Sequence, residues 1–550
     1  MKYSILKTVF GFVFTLLLLF QQGILHAAQP DNKESQQLRE LGERIYHQGV
    51  LTDGSSLAGV VPNSPPDGNV ACVRCHRRSA LGGMEGGELV PPVTGDYLFR
   101  NQLKVVTKPV VRRIKRWAYN QASLDRVLSR GIDVMGQPLT QSMPRYHLND
   151  SDLKALMAYL QSLDSSVSQG VEEKQIHFAT IVHKDLPEKK RKALIETAKR
   201  YAESENRAIQ GKEKRAQFSD RQNNWNSKSF RRWNWHLWEI SGEPQSWQAQ
   251  LEDYYRQQPV FLIVGGAVKG PWQRVEKFCE STQIPCLFPH TELPQPDVKN
   301  YYTFHYSEGL YLEARVLGSY LKHELPDSKQ LVQVYRDDRD GGFIAQHVRN
   351  LMQSIGVDVT DIEIPAEDKI TEVQLQKLQE RVKDSALMLW LDEGDLKQFT
   401  EHAQFVEGEN CFLSSSLLSE SPVLSGTVWD DHLRVIHPFT LPWEPSGGIG
   451  KSFLIKEKLG NDQFRLRSET FAAFAAVSQV LKRVKHNLVR DYFMEQLEHM
   501  SEDLRETSLY PRFSLGPYQR YVSKGAYVFP LNALDPEKRA RNYRWVIPAI

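Results

Sequence analysis

The chain has 550 residues, 41% of them apolar and 25% charged, with 69 Lys and Arg against 67 Asp and Glu. Such a length exceeds one hydrophobic core and implies two to four domains. The near-balance of charge excludes the global basic field that nucleic-acid binders carry, so no nucleic acid is expected as a partner.

Residues 1–28 have the pattern of a secretory signal peptide. Lys2 and Lys7 give a positive start, Thr8 to Phe20 an apolar run, and Ala27-Ala28 small residues for cleavage. No later stretch reaches the roughly 18 apolar residues of a membrane span. The mature protein is therefore expected in the periplasm, with no membrane span once the signal is removed.

Residues 29–168 are loop-rich, with Gly and Pro clustered around Cys72-Val-Arg-Cys75-His76. They close on an amphipathic helix from Asp150 to Leu163, in which Leu153, Leu156, Leu160 and Leu163 recur at helical spacing. Asn149 or Asp150 is placed to cap it. From residue 169 to 550 the texture changes to short apolar runs alternating with amphipathic ones. Strands are expected at Ile176–Val182, Val260–Val264, Ile284–Phe288 and Tyr301–Tyr306, and a second lobe starts near 330 with Leu331–Tyr335, Val357–Ile364 and Ala386–Leu391. Strand and helix in turn imply parallel sheets with helices on both faces.

Cys-x-x-Cys-His carries a defined chemistry. Two thiols two residues apart can each bond one vinyl group of a single haem, and the next histidine is carried under the iron. A structural zinc site wants four ligands, and the other cysteines lie over 200 residues away. A thioredoxin-like dithiol opens a helix after a buried strand, whereas Gly68-Asn-Val-Ala71 precedes this motif. Together with Gly42-Glu-Arg-Ile-Tyr46 and Met143-Pro144-Arg-Tyr146, the motif resembles a class I cytochrome c. That resemblance implies one covalent haem c on Cys72 and Cys75, with His76 and Met143 as axial iron ligands and Met135 as the competitor of Met143. Pro91-Pro92 falls where such cytochromes place a carbonyl against the proximal imidazole. Gly131-Ile-Asp-Val-Met-Gly-Gln-Pro-Leu139 extends the likeness to the cytochrome subunits of quinoprotein dehydrogenases. A redox partner of that kind is implied, and the basic run Lys104–Arg116 reads either as a solvated helix face or as its docking rim.

In the second part, Phe261-Leu-Ile-Val-Gly-Gly266, Phe278-Cys-Glu-Ser-Thr-Gln-Ile-Pro-Cys286, Tyr301-Tyr-Thr-Phe304 and Tyr510-Pro-Arg-Phe-Ser-Leu-Gly516 resemble type I periplasmic binding proteins, the group of the leucine/isoleucine/valine-binding protein. The resemblance implies two α/β lobes around a cleft that takes a small-molecule ligand. By position at strand ends, Gly266, Lys269, Trp272, Tyr306, Arg336 and Asp392 are the candidate cleft residues. The turn Gly265–Gly270 has no hydroxyl with which to grip an amino-acid carboxylate. Seven residues along one helix would put Cys279 and Cys286 about 10.5 Å apart, but Pro285 ends the helix, and an exported chain then permits a disulfide between them.

The expected fold class is an all-α cytochrome c domain followed by a two-lobed α/β periplasmic-binding-protein-like domain. The expected function is periplasmic electron transfer by a haem protein fused to a ligand-binding or docking module. The alternatives are a haem-containing oxidoreductase with chemistry in the α/β cleft, or a ligand sensor. No nucleophile–base pair stands out in the α/β part, so an electron carrier is favoured over an enzyme.

Overall fold

A computed structural model describes residues 33–549 apart from 61–69, 86, 107–111, 164–166, 218–230, 295–299, 327–328, 338, 366–369, 372–384, 403–409, 419–432, 445–447, 501–507, 517–518 and 535–542. The signal peptide expected at 1–28 falls outside the described residues. The chain divides into two compact units, Met1–Ser165 and Ser166–Ile550.

The first unit runs α1 (Lys33–Gln48), β1 (Gly59–Val60), α2 (Val73–His76), β2 (Gly83–Glu85), β3 (Glu88–Val90), α3 (Gly95–Leu98), β4 (Gln102–Val106), β5 (Arg112–Arg116), α4 (Gln121–Arg130), β6 (Arg145–Tyr146) and α5 (Asp150–Ser162). Helix α5 starts where its pattern predicts, and the cap is Asn149, whose side chain accepts from the Asp152 backbone N–H. It packs on α1 so closely that a Cβ on Gly42 would stand 2.0 Å from the Ala155 carbonyl oxygen. Only glycine permits that approach. The all-α expectation is corrected here, because three two-stranded antiparallel sheets, β1–β6, β2–β3 and β4–β5, accompany the helices. The basic run shows why. Leu103 and Ile114 each stand between polar or basic neighbours, and Val105, Val106 and Ile114 are β-branched, a pattern that suits a hairpin ladder rather than a helix face.

The second unit, most of the chain, is one continuous α/β fold built on two sheets. Its first half runs β7 (Gln175–His183), α6 (Glu188–Gln217), β8 (Arg232–Ile240), α7 (Pro244–Gln257), β9 (Leu262–Val264), α8 (Gln273–Thr282), β10 (Cys286–Leu287), β11 (Thr303–Phe304) and α9 (Leu310–Glu324). The parallel strands lie in the order β11-β10-β9-β7-β8. The second sheet uses β12 (Gln330–Asp337), α10 (Arg339–Ser354), β13 (Asp358–Pro365), β14 (Ala386–Trp390), α11 (Glu393–His402), β15 (Cys411–Ser414) and β16 (Leu433–His437). After α12 (Gly448–Lys456), the chain returns to the first sheet with α13 (Phe464–Val484) and α14 (Arg490–His499). It then adds β17 (Ala526–Pro530) and β18 (Arg544–Val546) antiparallel at the edge of the second sheet.

The return is visible in the packing. Ala473, Phe474, Val477 and Phe493 of α13 and α14 share one buried cluster with Phe178, Leu262 and Phe304 of the first sheet. Burial of the Phe, Val and Leu side chains among them is worth about 1.5–3 kcal/mol each. The two lobes are therefore joined by several crossings of the chain.

Candidate functional site

In a parallel α/β sheet, strand C-termini and helix N-termini converge on one edge, and ligands bind there. On that edge of the first sheet a polar cluster is built from four segments: the turn after β10, the turn after β11, the start of α13, and the stretch around Tyr510. Glu469, 4% exposed, is its centre. Its carboxylate accepts a 2.5 Å hydrogen bond from His290 Nδ1 and a 2.9 Å bond from the Tyr510 hydroxyl. Its backbone carbonyl accepts from the Tyr306 hydroxyl at 2.6 Å. Arg465, one turn earlier on α13, pairs with Glu292, lies 3.7 Å from Glu469, and donates to the Ser416 carbonyl at 2.8 Å. Ser416 follows β15, so Arg465 ties the edge of one lobe to that of the other.

Aromatic rings enclose the cluster. Tyr306 stacks on Phe288 at 4.7 Å and on Tyr510 at 5.1 Å, and the Arg465 guanidinium sits 4.9 Å over Phe439. Burial alone would raise the Glu469 pKa. The charge of His290 and Arg465, with the hydrogen bonds from His290 and Tyr510, outweighs it and holds the carboxyl below its usual range. Burial pushes the Tyr306 and Tyr510 hydroxyls up, so both act as neutral donors. The space left between these groups is about 10 Å³, room for about one water.

Beside it, Glu313 of α9 is fully buried and accepts from Ser416 Oγ at 2.6 Å. Burial pushes its carboxyl up to about 8, with the charge of Glu292 adding to the rise and the hydrogen bonds from Ser416 opposing it.

Of the six cleft residues expected from sequence, Tyr306 alone joins this cluster. Gly266 has φ +112°, and a Cβ there would stand 2.6 Å from the Ile181 carbonyl, so it serves close packing. Trp272 is buried at the start of α8, and Lys269 is exposed. In the second lobe Arg336 is paired with Asp395 and donates to the Pro365 carbonyl at 2.7 Å, while Asp392 caps α11 through the Asp395 N–H. His290, Glu292, Arg465, Glu469 and Tyr510 were not singled out by sequence reasoning. Only Tyr510 stood in a quoted phrase.

Cys279 and Cys286, expected as a disulfide, are both buried in one cluster against the first sheet and are not bonded to each other in this structure.

In the first unit, a cavity of about 460 Å³ is lined by residues that include Cys72, His76, Pro91, Tyr97, Met143 and Leu156. The His76 ring lies with Nδ1 3.0 Å from the Pro91 carbonyl oxygen, and burial lowers its pKa. Cys75 is exposed, and Met135 is not among the lining residues. The structure thus brings Cys72, His76 and Met143 around one space.

A family model for periplasmic binding proteins matches residues 240–523, just over half of the chain. Among solved structures, a fatty acid ABC transporter substrate-binding protein from Thermomonospora curvata is similar at TM-score 0.50 and 14% identity, covering 70% of this chain and 94% of its own. A putative branched-chain amino acid ABC transporter protein from Rhodospirillum rubrum has TM-score 0.47 and 12% identity, covering 68% and 100%. A search of curated protein sequences gives no match.

These findings correct the functional expectation. They support the binding-protein fold over most of the chain, and with it ligand binding in an extracytoplasmic setting. Among the described residues no group of three or more His, Cys, Asp or Glu could hold a metal ion. On these grounds the class I cytochrome c resemblance, the covalent haem c, electron transfer as the function and a quinoprotein dehydrogenase as redox partner give way to ligand binding.

Proposed function

The chain belongs to the periplasmic binding protein family, and from that premise we propose that it captures a small amine-bearing solute at the cluster around Glu469. The carrying observation is the meeting of two carboxylates, Glu292 and Glu469, held in place by Arg465 and His290, with the Phe288–Tyr306–Tyr510 stack. Those carboxylates can accept from an ammonium group, and the rings offer it cation–π contact. A site of one water's volume admits a solute only when the lobes part, the hinge motion of two-lobed binding proteins. We assign the protein to the periplasm, with delivery to an ABC-type membrane transporter as its task. Among the described residues no helix is long and apolar enough to cross a membrane.

The test is a thermal-shift panel on the full mature chain, with mass spectrometry of any solute released on denaturation. Amine-bearing solutes should stabilise it, by about 2.7 kcal/mol at a hundredfold excess over Kd. Stabilisation by amine-free carboxylates alone would sink the reading. We also propose Cys72, His76 and Met143 as contact residues of a second site, because the cavity they line is of small-molecule size.

A further inference from the structure

The opposite edge of the first sheet holds a different kind of opening. Ile176 and Trp233, the second residues of β7 and β8, pair in register there. Nine residues of β7 separate this edge from the cleft edge, roughly 25 Å at strand rise. Between them, α6 and α13 leave a pocket of about 300 Å³, the lower end of small-molecule sites.

Its floor is apolar, made by Ile176, Ile209, Trp233, Leu481 and Leu488. Its rim is basic: Lys212, Arg231, Lys482 and Lys485 against the single carboxylate Glu205. The stripes are helical. Glu205, Ile209 and Lys212 share one face of α6, and Ser478, Leu481, Lys482 and Lys485 one face of α13 and its C-cap. Arg231 adds an independent sign. Its Nε donates to the Glu172 carbonyl at 2.8 Å, whereas its Nη1 is buried without a hydrogen-bond partner among the described residues. A buried cationic donor left unpaired is costly, and Arg231 lines the pocket, so an anion there would lie beside a guanidinium that is under-satisfied among the described residues.

We propose that this pocket binds a single-chain anionic amphiphile, its apolar chain on Trp233 and Leu481 and its anionic head among Arg231, Lys482 and Lys485. The head is recognised by charge-assisted hydrogen bonds, the tail by buried apolar area. This site is separate from the solute cleft and does not depend on it.

Titration calorimetry and tryptophan fluorescence of the full mature chain test it, with decanoate, decyl phosphate, decanol and decyltrimethylammonium as probes. One equivalent of decanoate or decyl phosphate should bind saturably, and whichever binds tighter identifies the head as carboxylate or phosphate. Decanol and decyltrimethylammonium should bind at least tenfold more weakly. The double variant K482E/K485E changes two exposed side chains, so the fold is retained. It should lose at least tenfold in affinity for the anionic probes and retain its response to the cleft solute. Equal binding of cationic and anionic probes, unchanged affinity in the double variant, or no saturable binding below about millimolar (a weak association) would each overturn the proposal.

Discussion

The two edges of the first sheet are built from the same strands and part of the same helix, yet they differ in how their charges are answered. At the C-terminal edge, the charges around Glu469 are buried and paired: carboxylate with imidazole, guanidinium with two carboxylates, hydroxyl with carboxylate. At the other edge Lys482 and Lys485 are exposed and outnumber the nearby acid. Helix α13 contributes to both, Arg465 and Glu469 in its first turns and Lys482 in its last. A paired, buried cluster makes stability depend on every member, whereas an open, basic rim leaves its charges available to a ligand at little cost to folding.

The largest expected effect follows from breaking the closed edge. Glu469→Ala removes the acceptor of His290 and Tyr510 and one of the two carboxylates beside Arg465, leaving that cation less compensated in a buried setting. Loss of about 3–5 kcal/mol of stability is expected, read by urea denaturation of the full chain. A loss under about 1 kcal/mol, the range of exposed pairs, would mean the cluster is wetter than its burial indicates, and the contrast between the edges would fall.

Glu313 sharpens the same contrast through pH. Its carboxyl is pushed up to about 8 by burial, from an ordinary value of 4.5. Between those values the unfolded chain ionises while the native state keeps its proton, so the native state binds more protons and stability declines as pH rises. The decline is at most about 1.4 kcal/mol per pH unit for one group and ends above the folded pKa. Glu313→Gln should flatten this part of the stability profile between pH 5 and 8. A variant with the parent's slope would show that Glu313 is not the group responsible.

The strands of the second unit were legible wherever an apolar run stood between turn residues. Ile176–Val182 and Ala386–Leu391 lie within one residue of β7 and β14. Strand β8 escaped notice because Trp233, Trp235, Leu237 and Trp238 sit among Arg, Asn, His and Glu, and only Trp233, Trp238 and Ile240 are buried. In the first unit the charge of the basic run suggests a solvated helix face or a docking rim and hides the hairpin that forms there. The cluster around Glu469 was not legible for a topological reason. Its members come from residues 290 to 510, and they meet only because α13 returns to the first sheet. Tyr306 could be anticipated since it follows a strand directly. Strand-end position also pointed to Arg336 and Asp392, which serve helix α11 instead.

The smallest expected effect tests the open edge. Lys482 lies in the last turn of α13 and Lys485 is its C-cap residue, where the partial negative charge of the helix end favours cations. Their only structural contribution should be that of charge near a helix terminus, since both side chains are exposed. Lys482→Gln or Lys485→Gln is therefore expected to cost about 0.3–1 kcal/mol at low ionic strength. The cost should shrink in salt as the helix-end field is screened. Denaturation of each variant at two salt concentrations measures it. A loss approaching that of Glu469→Ala would show that these lysines hold the fold together rather than line an accessible rim, and would remove the difference between the edges on which the amphiphile pocket rests.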